Sequence, residues 1–187
     1  SETAIVGAGV GAALNGMRPV VDMHFVDFIG VCMDEILNQM AKIRYMFGGQ
    51  CKIPLVLRAP DGIIRSAAAQ HSQSLESFFL HIPGIKVVIP SNPADAKGLL
   101  KSAIRDDNPV LYFEHKVLFP QKGPVPEGEH LVPIGKAKVA REGSDVTIVS
   151  YSLMMQRALE AAEQLAAAGI QAEVVDRRAQ QIRVDLR

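Results

Sequence analysis

Two short stretches hold residue types that could do chemistry. Ser1-Glu2 stands before a run of small residues reaching Asn15-Gly16, and Glu2 is the only ionisable side chain ahead of Arg18. A carboxylate in a first helical turn is favoured by the helix dipole, with Ser1 as candidate N-cap, so Glu2 reads as an acid held at the tip of a helix. The second stretch, Gln70-His71-Ser72-Gln73-Ser74, sets an imidazole among polar side chains between apolar neighbours. Imidazole titrates near neutrality and can give or take a proton. A lone histidine is more often a structural hydrogen bonder; the polar company is what singles out His71.

Other candidates carry less. His81, His115 and His130, with Cys32 and Cys51, show no metal-ligand spacing. Gly7-x-Gly9-x-x-Ala12 fits the dinucleotide-binding fingerprint, with Asp27 at the distance of its ribose acid. That motif needs a full strand before its first glycine, and only Ile5-Val6 is strand-like here. The small residues continue in helical style to Asn15, which predicts a buried helix whose glycines allow close packing at a cost of roughly 1 kcal/mol each. A nicotinamide-dependent oxidoreductase is kept as a rival reading.

The elements that position these residues alternate. Gly16 ends the first helix, and a strand follows over Val20–Val26. An amphipathic helix is expected from Asp27 to Met46, closed by Gly48-Gly49. Next come a doubly buried strand over Lys52–Arg58, a turn at Ala59–Gly62, a loop, and a helix in Ala67–Leu80. Ile85–Pro90 and Pro109–Glu114 read as strands around a helix over Ala94–Ile104, and Asp106-Asp107-Asn108-Pro109 on its own reads as a solvated turn. Alternation of this kind predicts an α/β fold, a parallel sheet covered by helices in three layers. Phe119–Pro133 is rich in proline and reads as a linker. Val146–Ser150, an alanine-rich helix to Ala168, Gly169 and Ala172–Asp176 then form one βαβ unit, too little to bury its own sheet.

The whole chain has 187 residues, 48% hydrophobic and 21% charged, with a formal net charge of +0. This is the composition of an ordinary globular protein without the electrostatic footprint of a nucleic-acid or anionic-membrane binder. No apolar run approaches the roughly 20 residues of a membrane span. The two cysteines read as reduced thiols, pointing to a bacterial-like cytoplasm, with an organelle matrix left open. The chain opens on Ser rather than Met and is expected to lack preceding elements.

In the order of its segments the chain resembles the beta subunit of the first, decarboxylating component of thiamine-diphosphate-dependent 2-oxo acid dehydrogenase complexes, of the pyruvate/acetoin type. The resemblance rests on Ser1-Glu2 before the glycine-rich helix, Arg18-Pro19, Asp27-Phe28, Arg44–Gly49, Ala69–Ser74, Pro83–Val88, Asp95–Leu100 and Ala103–Pro109. Val26–Cys32 and Phe113-Glu-His-Lys116 look most like acetoin dehydrogenase subunits. The resemblance implies a transketolase-like pyrimidine-binding domain over 1–122 lacking its N-terminal elements, a linker over 123–143, and a truncated start of the C-terminal transketolase-like domain over 144–187.

The resemblance also implies roles. Glu2 would hydrogen-bond the aminopyrimidine ring nitrogen of thiamine diphosphate and favour its imino tautomer, Phe28 would pack against that ring, and His24 would line the same pocket. His71 would sit near the substrate end and serve acyl transfer. A structural potassium ion would be held mainly by backbone carbonyls at Leu55, Ala103, Ile104, Asp106 and Asn108. The motif for diphosphate and Mg2+ is absent from this chain and would come from an alpha subunit in a heterotetramer, with a lipoyl-bearing acyltransferase receiving the acyl group. The sequence departs from the family at Asp61–Ser66, bulkier and newly charged, and at the tail Arg177–Arg187. A truncated, non-catalytic paralogue acting only in assembly is the second rival reading.

Overall fold

The computed structural model describes residues 1–181; the part of the atypical tail from 182 on lies outside the described residues. The first half is built on a five-stranded sheet in the order β1-β2-β4-β3-β8. Its strands are β1 (Val20–Asp22), β2 (Val56–Asp61), β3 (Lys86–Val88), β4 (Val110–His115) and β8 (Ala179–Gln181). The pairs β1–β2, β2–β4 and β3–β4 are parallel. The four parallel strands therefore end on one edge of the sheet, where ligand sites of open α/β sheets lie.

Strand residues alternate between two cores, as a pleated sheet buried on both faces requires. Val21, Leu57, Ala59, Val87, Leu111 and Phe113 face Val6, Val10 and Ala13 of helix α1 (Glu2–Leu14). Val56, Val88, Val110 and Tyr112 face Leu99 and Ala103 of another helix, Pro93–Arg105. That helix is capped by Asn92, whose side chain accepts from Asp95 N, and it starts with Pro93 at a position that costs no hydrogen bond.

The expected helix over Asp27–Met46 is instead three pieces: a 3-10 helix Val26–Cys32, a π-helical turn Glu35–Met40, and a short α2 (Ile43–Met46). Val26, Ile29 and Cys32 are the buried residues of the first piece. Their spacing of three matches the 3-10 repeat, so all of them face inward only in that tighter form. The expected helix in Ala67–Leu80 shrinks to a 3-10 turn Ala69–His71 and α3 (Glu76–Leu80). The first strand stops at Asp22, and the 93–105 helix is α4 in chain order.

Residues 119–133 hold no strand or helix, as the prolines predict. Beyond them a smaller sheet has the order β5-β7-β6, with β5 (Lys138–Arg141), β6 (Val146–Ser150) and β7 (Ala172–Asp176), and α5 (Met154–Ala167) packs on β7. The βαβ unit is the one expected. Strands β5 and β8 were not foreseen; both are antiparallel to their neighbours, β7 and β3. Through β8 the chain returns to the first sheet.

Candidate active site

Three strand ends deliver the site. After β1 come His24, Phe25, Asp27 and Phe28; β2 ends in Asp61 and is followed by Gly62 and the loop carrying His71; β4 ends in His115 and is followed by Lys116. His71 is half-buried and lies edge-on to two rings, Phe25 at 4.7 Å and Phe28 at 5.5 Å between centroids. Phe25 and Phe28 are themselves 6.4 Å apart at 71°. Phe28, a predicted site residue, is thus brought to His71, another. His24 is exposed and reaches the group through Phe25, 5.5 Å away. Phe25 was not foreseen as a site residue, although an aromatic ring beside His24 and Phe28 was visible in the sequence.

Glu2 opens α1, half-buried, and among the described residues its carboxylate makes no hydrogen bond or ion pair. Ser1 occupies the N-cap position without a side-chain cap bond. The first turn of α1 is fastened to the 3-10 helix by Thr3 Oγ1, which donates to Val31 O at 2.8 Å. Because Phe28 belongs to that same 3-10 helix, one short element joins the tip of α1 to the aromatic group around His71. Glu2 also lies near Cys32, whose thiol is pushed up to about 11, by burial first and then by the charges of Glu2 and Glu35.

The loop from Gly62 to Leu75 is entered through strained backbone. Ser66 has φ +63° and Ala68 has φ +57° with ψ −172°, a region nearly reserved for glycine. Such residues cost roughly 1–3 kcal/mol each and persist where their surroundings fix them. The base of the loop closes by Gly62 N donating to Gln73 O at 2.9 Å. Gly62, at φ +73°, is packed so closely on the His115 ring that a Cβ would enter it. His115 Nδ1 accepts from Val117 N at 3.2 Å, which fixes the neutral tautomer with its proton on Nε2. Burial and the charge of Lys116 hold the pKa of this imidazole below its ordinary value.

Under the loop lies a buried polar group that the sequence did not announce. Asp61 is 1% exposed. Its carboxyl is pushed up to about 7, by burial first and then by Glu76, against the lowering pull of the Gly62 and Leu75 amides and of Lys116. Glu76 accepts from Tyr151 of the second half at 3.0 Å. Asp27 and Lys116 complete the group. Of these, Asp27 figured in the sequence as the acid of the rejected dinucleotide fingerprint and, with Lys116, as a mark of resemblance, and Asp61 only as an unusual loop charge. The signal that would have found Asp61 and Lys116 is an ionisable residue at or just past the end of an apolar strand.

The five positions expected around a potassium ion lie together behind β4. Leu55 O accepts from Val110 N, and Ala103 O from Asp106 N. The carbonyls of Ile104 and Asp106 both accept from Arg18 Nη1, at 3.1 and 3.0 Å, so a guanidinium supplies positive charge there. Asn108 is tied to Asp106 and to Arg44 through its side chain. Among the described residues no cluster of His, Cys, Asp and Glu has the arrangement of a metal site.

The dinucleotide reading fails on geometry. Gly7, Gly9 and Gly11 lie inside α1 and not at a strand-to-helix turn. A Cβ on Gly9 would come within 2.5 Å of Val21 Cγ2 and 2.9 Å of Leu55 Cδ1, so this glycine serves helix-on-sheet packing.

Comparison with known proteins agrees with this architecture. The family described as "Transketolase, pyrimidine binding domain" matches residues 1–122, and "Transketolase, C-terminal domain" matches residues 135–181. The chain is 57% identical over 178 residues to the beta subunit of acetoin:2,6-dichlorophenolindophenol oxidoreductase from Cupriavidus necator, covering 95% of this chain and 53% of that protein. It is 50% identical to the 2-oxoisovalerate dehydrogenase subunit beta of Bacillus subtilis, covering 95% of this chain and 55% of that protein. It is 46% identical to the pyruvate dehydrogenase E1 component subunit beta of Rhizobium meliloti, covering 95% and 39%. The chain spans about half the length of the first two of these relatives. Among solved structures, a split-gene transketolase described as an inactive beta4 tetramer superposes with a TM-score of 0.77 at 26% identity, covering 95% of this chain and 55% of that one.

Proposed function

The chain belongs to the transketolase pyrimidine-binding family, and on that premise we propose that it supplies the aminopyrimidine half of a thiamine diphosphate site in the beta subunit of a pyruvate or acetoin dehydrogenase. The observation that carries this reading is that Glu2, a half-buried carboxylate with no hydrogen-bond or ion-pair partner among the described residues, opens a helix fastened through Thr3 to the 3-10 helix bearing Phe28, whose half-buried ring makes a T-shaped contact with His71. An acid and an aromatic ring carried on two elements fastened together suit an aromatic heterocycle with a ring nitrogen able to carry a proton.

Thiamine diphosphate, when bound, supplies the carbon nucleophile that attacks a substrate carbonyl. Glu2 would exchange a proton with the pyrimidine ring nitrogen. Phe28 would set the plane of the ring. His71, stiffened by Phe25 and Phe28, would give or take a proton at its imidazole during acyl transfer to lipoamide. His24 would line the mouth of the pocket. Diphosphate and Mg2+ would be held by an alpha subunit in a heterotetramer, and a lipoyl-bearing acyltransferase would receive the acyl group. A potassium ion at the Leu55, Ala103, Ile104, Asp106 and Asn108 positions would share oxygens with Arg18, which two lone pairs per carbonyl allow. With Cys32 and Cys51 both free thiols, the compartment would be reducing, a bacterial-like cytoplasm or an organelle matrix.

Glu2→Gln in the assembled complex tests the assignment. Assembly should persist while turnover falls about a hundredfold or more, the usual scale for a lost proton-transfer partner. Turnover within a few-fold of wild type would remove Glu2 from this role.

A further inference from the structure

We propose that Asp27 is a positioning residue that moors the His71 loop to the segment bearing Phe25 and Phe28, with Lys116 as its buried counter-charge. The role of the loop in turnover rests on the function proposed above; the mooring itself does not.

Asp27 Oδ1 accepts from Gln73 N at 3.0 Å. Among the described residues its other oxygen has no hydrogen-bond partner, and it faces Lys116 Nζ at 4.0 Å, with the two side chains 1% and 2% exposed. Lys116 Nζ likewise lacks a hydrogen-bond partner, and it stands 5.2 Å above the centre of the Phe25 ring, the ring that meets His71 at 4.7 Å. Asp27, Gln73 and Lys116 thus come from the segments that follow β1, β2 and β4, and through the Phe25 ring their cluster adjoins the candidate catalytic histidine.

Stability does not account for this pair. Two buried ions 4.0 Å apart share no proton, and an apolar pair of similar volume would hold a core as well or better. Positioning does account for it. Within the loop the backbone bonds are long, Ala67 N to Ile64 O and His71 N to Ala68 O at 3.4 Å each, and two non-glycine residues sit at positive φ. The Gln73 amide on Asp27 is the bond that ties this strained loop to the segment holding its aromatic partners. A carboxylate also attracts the Lys116 ammonium, which fixes the acceptor against the cation–π contact on Phe25.

The test uses Asp27→Ala and the double variant Asp27→Asn/Lys116→Met, read in two ways. In this chain, amide hydrogen exchange at Gln73 should quicken at least about tenfold in Asp27→Ala, with α4 amides unchanged, and should return to within about threefold of wild type in the double variant, which keeps a carbonyl acceptor and leaves no unpaired ammonium. In the assembled complex, Asp27→Ala should lower kcat at least about tenfold while thiamine diphosphate affinity stays within about threefold, and the double variant should recover kcat. Unchanged Gln73 exchange in Asp27→Ala overturns the mooring. Parallel loss of kcat, cofactor affinity and Tm without recovery in the double variant overturns the positioning role in favour of a structural one. A wild-type complex without thiamine-dependent turnover would sink the proposed function, while the exchange result would still decide the mooring.

Discussion

Asp61 shows most clearly how a single residue's environment sets its chemistry. The folded chain holds its carboxyl protonated up to about pH 7, whereas a free aspartate gives up its proton near pH 4. Because its folded pKa is raised, the folded state binds the extra proton between these values, and stability should fall as pH rises from about 4 to about 7, by up to roughly 1.4 kcal/mol per pH unit. His115 acts in the opposite sense: its depressed pKa makes stability fall as pH drops below about 6.5. Asp61→Asn leaves the histidine's contribution in place, so the difference between variant and wild type isolates the carboxyl. We expect the asparagine variant to gain stability relative to wild type steadily from pH 5 to pH 7, measured by urea denaturation. A constant difference across that window would refute the assignment. At this scale the sequence was legible where a residue type is rare in its setting, as with Glu2 before a glycine-rich helix or His71 among polar neighbours. It was not legible where meaning comes from a distant partner: Asp27 and Lys116 are ordinary charges until the sheet brings their strand ends together.

Among the elements, α1 links sequence to packing most directly. The glycines were read as a packing device, and their surroundings separate them. Gly9 lies against Val21 and Leu55, whereas Gly11 has no atom within 4 Å of an added Cβ. Gly9→Ala should therefore destabilise by about 1–3 kcal/mol through overpacking, even after the gain in helix propensity. Gly11→Ala should stabilise by up to about 1 kcal/mol, since it gains propensity and meets nothing. Thermal denaturation of the two variants in this chain checks the contrast; equal shifts of one sign would contradict the packing. The crossover between β1 and β2 was harder to read. Phe28, Val31, Cys32, Ile36, Met40 and Ile43 suit a helical average, but the burial of Val26, Ile29 and Cys32 selects a tighter turn, and Ala41 N to Ile36 O then opens a wider one. Average periodicity hides such compensating changes.

At the scale of the molecule, the two sheets meet along a polar seam next to the candidate site. Tyr151 binds Glu76, Ser91 Oγ donates to Asp176 at 2.5 Å, Gln156 reaches Ser91 O at 3.2 Å, and Arg178 pairs with Asp95 at 2.6 Å. Strand β8 adds an antiparallel edge to β3. The α/β class and the βαβ unit were legible from alternation alone, whereas this seam was not, because its partners are single polar residues in otherwise unremarkable segments. Through Glu76 the seam reaches Asp61 at the end of β2, beneath the loop that carries His71. On the reading proposed above, the grip on the diphosphate and its metal ion would come from an alpha subunit. The central claim is therefore tested by calorimetric titration of thiamine diphosphate and Mg2+ into the folded chain, alone and mixed with the alpha subunit of an acetoin or pyruvate dehydrogenase. Saturable binding only in the mixture is the predicted result; equally tight binding by the chain alone, or no binding in the mixture, would contradict a shared site.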